Sequence, residues 1–127
     1  MITIICGGRK NYMSEEDREY LLTLGITHVI SGGATGIDTD AVKWAEDNNI
    51  PYTVMKADWD NITHLNAVVR TRKDGTKYDV TAGFRRNQDM ADIAEACVAL
   101  KGGNGTKDMW TRAKKKGLKT FSNYFKD

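Results

Sequence analysis

Short apolar runs alternate along this chain with longer segments in which apolar residues recur every three or four positions. Such short, often β-branched runs are typical of buried strands, and they cover residues 2–6, 27–30, 52–55, 96–100 and 118–121. The segments between them have the periodicity of amphipathic helices, over residues 14–24, 36–48, 81–94 and 106–116. Strands that alternate with helices indicate a parallel sheet covered on both faces. The pattern therefore predicts an α/β fold with about five parallel strands and helices on both faces.

Several helix ends and faces carry recognisable signals. Ser14 is a suitable N-cap before a run of acidic residues, and Gly25 ends that helix. Thr81 is predicted to cap the third helix in the same way. Trp44 and Trp110 fall on helix faces and are predicted to lie in the core.

The stretch from residue 58 to residue 80 has few helical signals. Two strand-like runs, 68–73 and 76–80, flank Asp74-Gly75, a dipeptide that favours a tight hairpin turn. We predict a β-hairpin insertion near 67–80. It is expected near one edge of the sheet, where it is a candidate lid.

Composition sets limits on the class of protein. The chain has 127 residues, 40% hydrophobic and 28% charged, which predicts one globular domain over residues 1–127. Its net charge of +2 is too small to require a nucleic-acid partner, although basic clusters occur at 70–77 and 112–119. No apolar run approaches the roughly 20 residues that span a bilayer, and the N-terminus lacks signal-peptide features. We therefore expect a cytoplasmic protein with no membrane partner.

The two cysteines, Cys6 and Cys97, lie in different apolar runs. If those runs are neighbouring parallel strands, four residues separate the two thiols by about 13 Å, which is too far for a disulfide. We predict reduced, buried cysteines. His28 and His64 share no metal-ligand spacing with them, so no metal site is predicted.

Glycine-rich turns follow three of the predicted strands. One of them, residues 101–106, leads from an apolar strand into a helical pattern, and the turns at 31–36 and 7–9 follow two other strands. Backbone N–H groups in such turns bind phosphate groups together with the positive end of a helix dipole. In parallel sheets, ligands bind in the crevice at the carboxyl ends of the strands. The turns therefore predict an anion-binding site at this edge.

Residues in and around these turns are candidates for ligand contacts. The predicted ligand-binding residues are Gly7, Gly8, Arg9, Ser31, Gly32, Gly33, Thr35, Asp38, Asp58, Trp59, Arg85, Arg86, Asn87, Gly102, Gly103, Asn104, Gly105 and Thr106. An arginine at this edge can grip a phosphate with two hydrogen bonds. The adjacent Arg85 and Arg86 are unfavourable at a helix N-terminus, so a bound anion is the simplest compensation for their charge.

Several of these residues also have a purely structural interpretation. Arg9 fits either a phosphate contact or an exposed loop, and the 31–36 turn needs no ligand to be a tight turn. Asp38, in the first turn of a helix, is either an acceptor for a ribose hydroxyl or a carboxylate that complements the dipole. Asp58-Trp59 is either an edge for stacking a base or part of the core.

Five motifs, taken in order, resemble one group of proteins. They are Gly7-Gly-Arg9, the run from Ser31 to Asp38, Ala57-Asp-Trp59, Ala82-Gly-Phe-Arg-Arg-Asn87 with Met90, and Gly102-Gly-Asn-Gly-Thr106 with Asp108-Met109. The order is similar to the small YspA-related branch of the SLOG superfamily, which includes LOG-type phosphoribohydrolases, molybdenum-cofactor carrier proteins and the DNA-processing protein A fold. The resemblance covers nearly the whole chain except residues 61–80. It implies a Rossmann-like sheet that binds nucleotides or nucleotide-derived molecules.

The chain departs from the phosphoribohydrolase pattern at the positions that carry the chemistry of those enzymes. Arg86 falls on the family's arginine, but Lys101 replaces a proline, Asn87 a lysine, and Met109 the catalytic glutamate. Methionine can neither stabilise an oxocarbenium ion nor activate water. Asp108 is one residue earlier, about 100° around the helix. Asp108 and Arg86 are therefore catalytic candidates only if the chain is an enzyme.

Three functions follow, in order of preference. The first is binding of a phosphate-bearing nucleotide or nucleotide-derived ligand, of the ADP-ribose or NAD-derived type, by a sensor, carrier or sequestering protein. The alternative is a nucleotide-processing hydrolase that cleaves an N-glycosidic bond. Nucleic-acid binding is a weaker alternative. No cofactor is predicted, and the superfamily resemblance implies a homodimer or a larger homo-oligomer.

Overall fold

The computed structural model describes residues 1–126. Its elements, in chain order, are β1 (Ile2–Cys6), α1 (Glu15–Leu22), β2 (His28–Ser31), α2 (Ile37–Asp47), β3 (Tyr52–Val54), β4 (Val69–Thr71), β5 (Lys77–Asp79), α3 (Ala82–Ile93), β6 (Ala96–Ala99), α4 (Asn104–Lys115) and β7 (Lys119–Phe121). Every predicted strand and helix is present. No helix in this range is long and apolar enough to cross a membrane.

Five strands form one parallel sheet in the order β3-β2-β1-β6-β7. The chain builds outward from β1 through β2 to β3 and then returns to the other side of β1 with β6. The resulting switch point lies between β1 and β6, where a crevice is expected at the carboxyl ends. The strands β4 and β5 pair separately as an antiparallel hairpin. The predicted α/β class, the Rossmann-like sheet and the hairpin are therefore confirmed.

Helices cover both faces of the sheet because successive strand residues point to opposite sides. Ile5 of β1 packs in one apolar cluster with Trp44 of α2. Its neighbour Ile4 packs in a second cluster with Trp110 of α4. Both tryptophans are buried, as their helix faces predicted.

The distance predicted between the two cysteines was wrong. Ile4 pairs with Cys97, and Cys6 pairs with Ala99, so the cysteines are offset by two residues rather than four. Their Sγ atoms lie 4.0 Å apart. Both thiols are free and buried, as predicted. The hydrogen bond with Cys97, together with burial, raises the pKa of the Cys6 thiol.

The observed N-termini of the helices agree with some of the predicted capping residues and differ from others. Ser14 caps α1 as predicted, because its hydroxyl accepts from the Asp17 N–H at 3.0 Å and the Asp17 carboxylate accepts from the Ser14 N–H. Thr81 makes no such cap on α3. Its hydroxyl instead donates to the carboxylate of Asp79 at 2.7 Å, a stronger acceptor close by. Helix α4 begins at Asn104, two residues earlier than predicted. A first-turn glycine is tolerated there because the first N–H groups need no intrahelical partner.

Candidate functional site

A cavity of about 480 Å³ opens at the carboxyl edge of the sheet, beside the switch point between β1 and β6. Its wall comes from the loop after β1, the start of α2, the segment after β3, one side of α3 and the first half of α4. The predicted site residues that line it are Gly7, Gly8, Arg9, Asp38, Trp59, Arg86, Asn87, Gly103, Gly105 and Thr106. Residues far apart in the sequence thus meet around one space.

The three glycine-rich turns pack directly against one another at this edge. The Gly8 N–H donates to the carbonyl of Lys101 at 2.9 Å, and the Gly8 carbonyl accepts from the Ile37 N–H at 3.2 Å. A Cβ on Gly102 would lie only 2.7 Å from the Gly8 nitrogen. Glycine is therefore needed here because the backbones of the turns approach so closely.

Helix α4 presents an uncapped N-terminus to the cavity. Gly103 occupies the N-cap position, no side chain caps the helix, and its first turn contains no acidic residue. Gly103, Gly105 and Thr106 line the cavity, and a Cβ on either glycine would meet nothing within 4 Å. The first N–H groups of a helix carry partial positive charge and lack intrahelical partners. This end of α4 is suited to an anion.

Arg86 supplies a fixed positive charge in the cavity wall. Its Nη1 donates to the carbonyl of Gly32 at 2.5 Å and to that of Met55 at 3.3 Å, while Nε donates to the Asn87 side chain. Burial lowers the pKa of Arg86, and the nearby Asp38 opposes that shift. Because an arginine stays protonated in proteins, the side chain remains a cation. Its bonds to backbone carbonyls hold it in place.

Trp59 lies between the loop after β1 and helix α3. The Arg9 guanidinium carbon is 5.2 Å from the centroid of the Trp59 ring, a cation–π contact. A Cβ on Gly83 would lie 2.9 Å from the edge of the same ring. Trp59 is half-buried and lines the cavity, so it both packs against α3 and offers surface to a ligand.

Asp38 is buried in the wall of the cavity. Its Oδ2 accepts from the Ala34 N–H at 3.2 Å, and its backbone carbonyl accepts from the Ser31 hydroxyl at 2.9 Å. Burial raises the pKa of Asp38, although the Ala34 hydrogen bond and the charges of Arg86 and Arg9 act in the opposite direction. The carboxylate is therefore held where ionisation is disfavoured.

Other predicted site residues lie outside the lining of this cavity. They are Ser31, Gly32, Gly33, Thr35, Asp58, Arg85, Gly102 and Asn104, together with the catalytic candidate Asp108. The Ser31 hydroxyl supports its own turn by accepting from the Gly33 N–H at 3.3 Å. Thr35 donates to the carbonyl of Arg9 at 3.2 Å. Asp58 and Arg85 line a neighbouring cavity of about 400 Å³. The turn residues thus build the edge without facing the cavity.

Asp79 compensates the charge of Arg85 within the chain. Arg85 forms an ion pair with Asp79 and donates to the Thr81 hydroxyl at 2.8 Å. The fully buried Asp79 carboxylate also accepts from the N–H groups of Val68 and Thr81. Burial raises its pKa, but the bonds from Arg85 and Thr81 outweigh this and hold the pKa of Asp79 far below its usual range.

One feature of the sequence could have identified Asp79 as the partner of Arg85. Asp79 stands at the end of the predicted hairpin, six residues before Arg85. Because the hairpin leads straight into α3, an acid at that junction can reach the first turn of the helix. The backbone N–H of Asp79 also donates to the Trp59 carbonyl at 2.7 Å. Asp79 therefore joins the hairpin, the Trp59 segment and α3.

Asp108 is turned towards other partners rather than into the cavity. Its Oδ2 accepts from the Asn87 side-chain amide at 3.0 Å and from Arg112 Nε at 2.8 Å. The next residue, Met109, lines the cavity instead. Met109 therefore adds an apolar side chain to the lining, next to Asp108 in the sequence.

Several lining residues were missed by the sequence analysis. Lys10 and Asn11 directly follow the Gly7–Arg9 motif, and that adjacency was an available signal. Val80, Phe84 and Met90 give the cavity part of its apolar wall. Their apolar character alone does not separate them from core residues, so only the folded arrangement shows their position.

A comparison with solved structures identifies a shared architecture. The X-ray structure of DNA processing protein A from Streptococcus pneumoniae matches 95% of this chain with a TM-score of 0.65 and 18% sequence identity. The chain is similar in fold to DNA processing protein A. It matches 49% of that chain, so it spans about half the length of DNA processing protein A. No protein-family model and no curated protein matches the sequence.

Proposed function

We propose that the cavity binds a phosphate-bearing nucleotide or nucleotide-derived ligand, of the ADP-ribose or NAD-derived type, as part of a sensor, carrier or sequestering protein. One observation carries the proposal: the uncapped N-terminus of α4 opens into a cavity that Arg9, Lys10 and Arg86 also line. Among the described residues of that lining, Asp38 is the acid that faces these three cations. The cavity therefore attracts an anion.

The remaining wall suits the rest of a nucleotide. Trp59, Phe84, Met90 and Met109 provide apolar and aromatic surface beside the charged groups. Ligand sites of this kind combine an apolar lining with a few polar groups and have volumes of about 300–1,000 Å³. A cavity of about 480 Å³ is large enough for a nucleotide. A ligand whose base packs against the apolar wall and whose phosphate binds at α4 would use both the apolar and the charged part of the lining.

No observation favours the alternatives. Hydrolysis is less well supported, because Met109 occupies the position expected to carry the acid, and the neighbouring Asp108 is engaged by Asn87 and Arg112. In the basic hairpin, Arg72 pairs with Asp60 at 3.4 Å and lies 4.6 Å from the centroid of the Tyr78 ring. A homodimer or larger assembly stays a prediction.

Gly105→Ala tests the place assigned to the phosphate. We expect the free protein to be at least as stable as the wild type, because alanine is no worse than glycine in the first turn of a helix. Nucleotide affinity is expected to fall about tenfold or more, because the new methyl group occupies space at the anion-binding end of α4. Thermal denaturation measures the first effect, and calorimetric titration with AMP and ADP-ribose measures the second.

Thr111→Ala is the matched control. Thr111 is exposed on the same helix and donates only to the Lys107 carbonyl, away from the cavity. It should gain helix stability and keep its nucleotide affinity. Unchanged nucleotide affinity in Gly105→Ala would contradict the proposal that the phosphate binds at the N-terminus of α4.

A further inference from the structure

A buried carboxylate lies in the wall of a cavity whose other charged groups are cations. Asp38 is 6% exposed and contributes to the lining. Its Oδ2 accepts the Ala34 N–H, whereas a carboxylate can accept about four hydrogen bonds over its two oxygens. A Cβ on Gly32 would lie 2.9 Å from Oδ2, so glycine lets the carboxylate sit against this turn. Asp38 lines the cavity and has acceptor capacity left beyond this one bond.

The dipole of α2 alone does not explain why an aspartate is buried at this position beside the cavity. A carboxylate that served mainly to complement the helix dipole would have a lowered pKa and would stabilise the protein. Burial instead raises the pKa of Asp38, despite the positive charges of Arg86 and Arg9. Arg86 directs its hydrogen bonds to the carbonyls of Gly32 and Met55. An acidic group in a cavity whose surroundings disfavour its ionised form is typical of a functional site.

The chemistry of an ionised carboxylate restricts what it can bind. When the Asp38 carboxylate is ionised, it accepts hydrogen bonds and donates none, and its charge repels a phosphate. A neutral donor is the matching group. In a ligand whose phosphate lies at α4, the neutral donors nearest to that phosphate are the hydroxyls of the sugar.

We propose that Asp38 accepts hydrogen bonds from the ribose hydroxyls of the ligand, so that the cavity selects ribonucleotides over deoxyribonucleotides. This inference rests on the proposed nucleotide site and names the sugar that the site requires. Such selectivity also argues against binding of DNA, a deoxyribose polymer, in this cavity. Asp38 is then a specificity-determining residue.

The test compares sugars in otherwise identical ligands. The wild-type chain and Asp38→Asn are titrated by calorimetry with AMP, GMP, CMP and UMP, each beside its 2′-deoxy and 3′-deoxy counterparts. A hydrogen bond to a charged acceptor predicts about 10-fold to 100-fold weaker binding of at least one deoxy form by the wild type. In Asp38→Asn that ratio should fall towards one.

Asp40→Asn is the matched control. Asp40 lies on the same helix and is buried, but it accepts from the Met13 N–H, and it is not among the residues that line the cavity. Asp40→Asn should lower thermal stability and keep the wild-type ratio between ribose and deoxyribose ligands. Asp38→Asn should melt at pH 7 no lower than the wild type, because its burial disfavours the charge.

The outcomes distinguish the role of Asp38 in sugar selectivity from the nucleotide site itself. Equal binding of ribo- and deoxyribonucleotides by the wild type overturns the role of Asp38 and leaves the nucleotide site standing. A ribose preference that survives in Asp38→Asn also overturns it, because another residue then reads the sugar. Absence of binding by every nucleotide overturns both the site and its sugar selectivity.

Discussion

Gly36→Ala is expected to lower the free energy of unfolding by about 3 kcal/mol or more. Gly36 precedes α2 with φ +76° and ψ −127°, a conformation that residues with a Cβ rarely adopt. A Cβ there would also lie 2.6 Å from the carbonyl oxygen of Arg9 and would overlap that of Gly8. Backbone strain and overpacking each contribute about 1–3 kcal/mol. Urea denaturation followed by circular dichroism measures the loss.

Gly25→Ala separates strain from overpacking. Gly25 also has a positive φ, +69°, but a Cβ there would meet nothing within 4 Å. We expect this variant to lose about 1 kcal/mol, from backbone conformation alone. Similar losses in the two variants would contradict the close packing of the glycine turns around Gly36.

Asp79→Asn is expected to lower the melting temperature by roughly 10 °C or more at pH 7. The substitution leaves the charge of Arg85 without its buried partner and weakens bonds to the N–H groups of Val68 and Thr81. Removing one member of a buried ion pair is more destabilising than removing an exposed pair. Thermal denaturation of both proteins at pH 7 measures the difference.

The same comparison has a defined pH dependence. Because the pKa of Asp79 is lower in the folded state than in the unfolded chain, its stabilisation is present above about pH 4. It is lost as the pH falls towards the folded-state value, so the gap between wild type and Asp79→Asn should narrow in acid. Asp60→Asn, which removes the exposed pair with Arg72, should change the melting temperature little. A gap of constant size from pH 7 to pH 3 would contradict the ionised state assigned to Asp79.

The fold could be predicted because its signals are local. Strand residues such as Ile4 and Ile5 form short continuous apolar runs, and Asp74-Gly75 marks a tight turn by its own chemistry. The register could not be predicted, because it depends on how two distant strands align. The 4.0 Å approach of Cys6 and Cys97 is one consequence of that alignment.

The candidate site was predictable to the extent that its residues stand in turns next to strand ends. Gly103 and Gly105 were found in this way, and both line the cavity. Long side chains were harder to place, since their direction depends on partners elsewhere in the chain. Arg85 is drawn to Asp79, and Asp108 to Arg112, whereas Arg86 is directed into the wall. Sequence position made these side chains candidates, and their hydrogen-bond and ion-pair partners decided which of them line the cavity.

The central claim is that the cavity binds nucleotides through a phosphate, and thermal denaturation with matched ligands tests it most directly. The full chain is melted with increasing AMP, ADP-ribose or NAD, and separately with adenosine, which has the same base and sugar but no phosphate. A ligand at about 100 times its Kd stabilises the folded state by about 2.7 kcal/mol. We predict a saturable rise in melting temperature with at least one phosphate-bearing ligand and a much smaller rise with adenosine, which keeps the base and the sugar but lacks the phosphate. An equal rise with adenosine, or no rise with any nucleotide, would contradict the account.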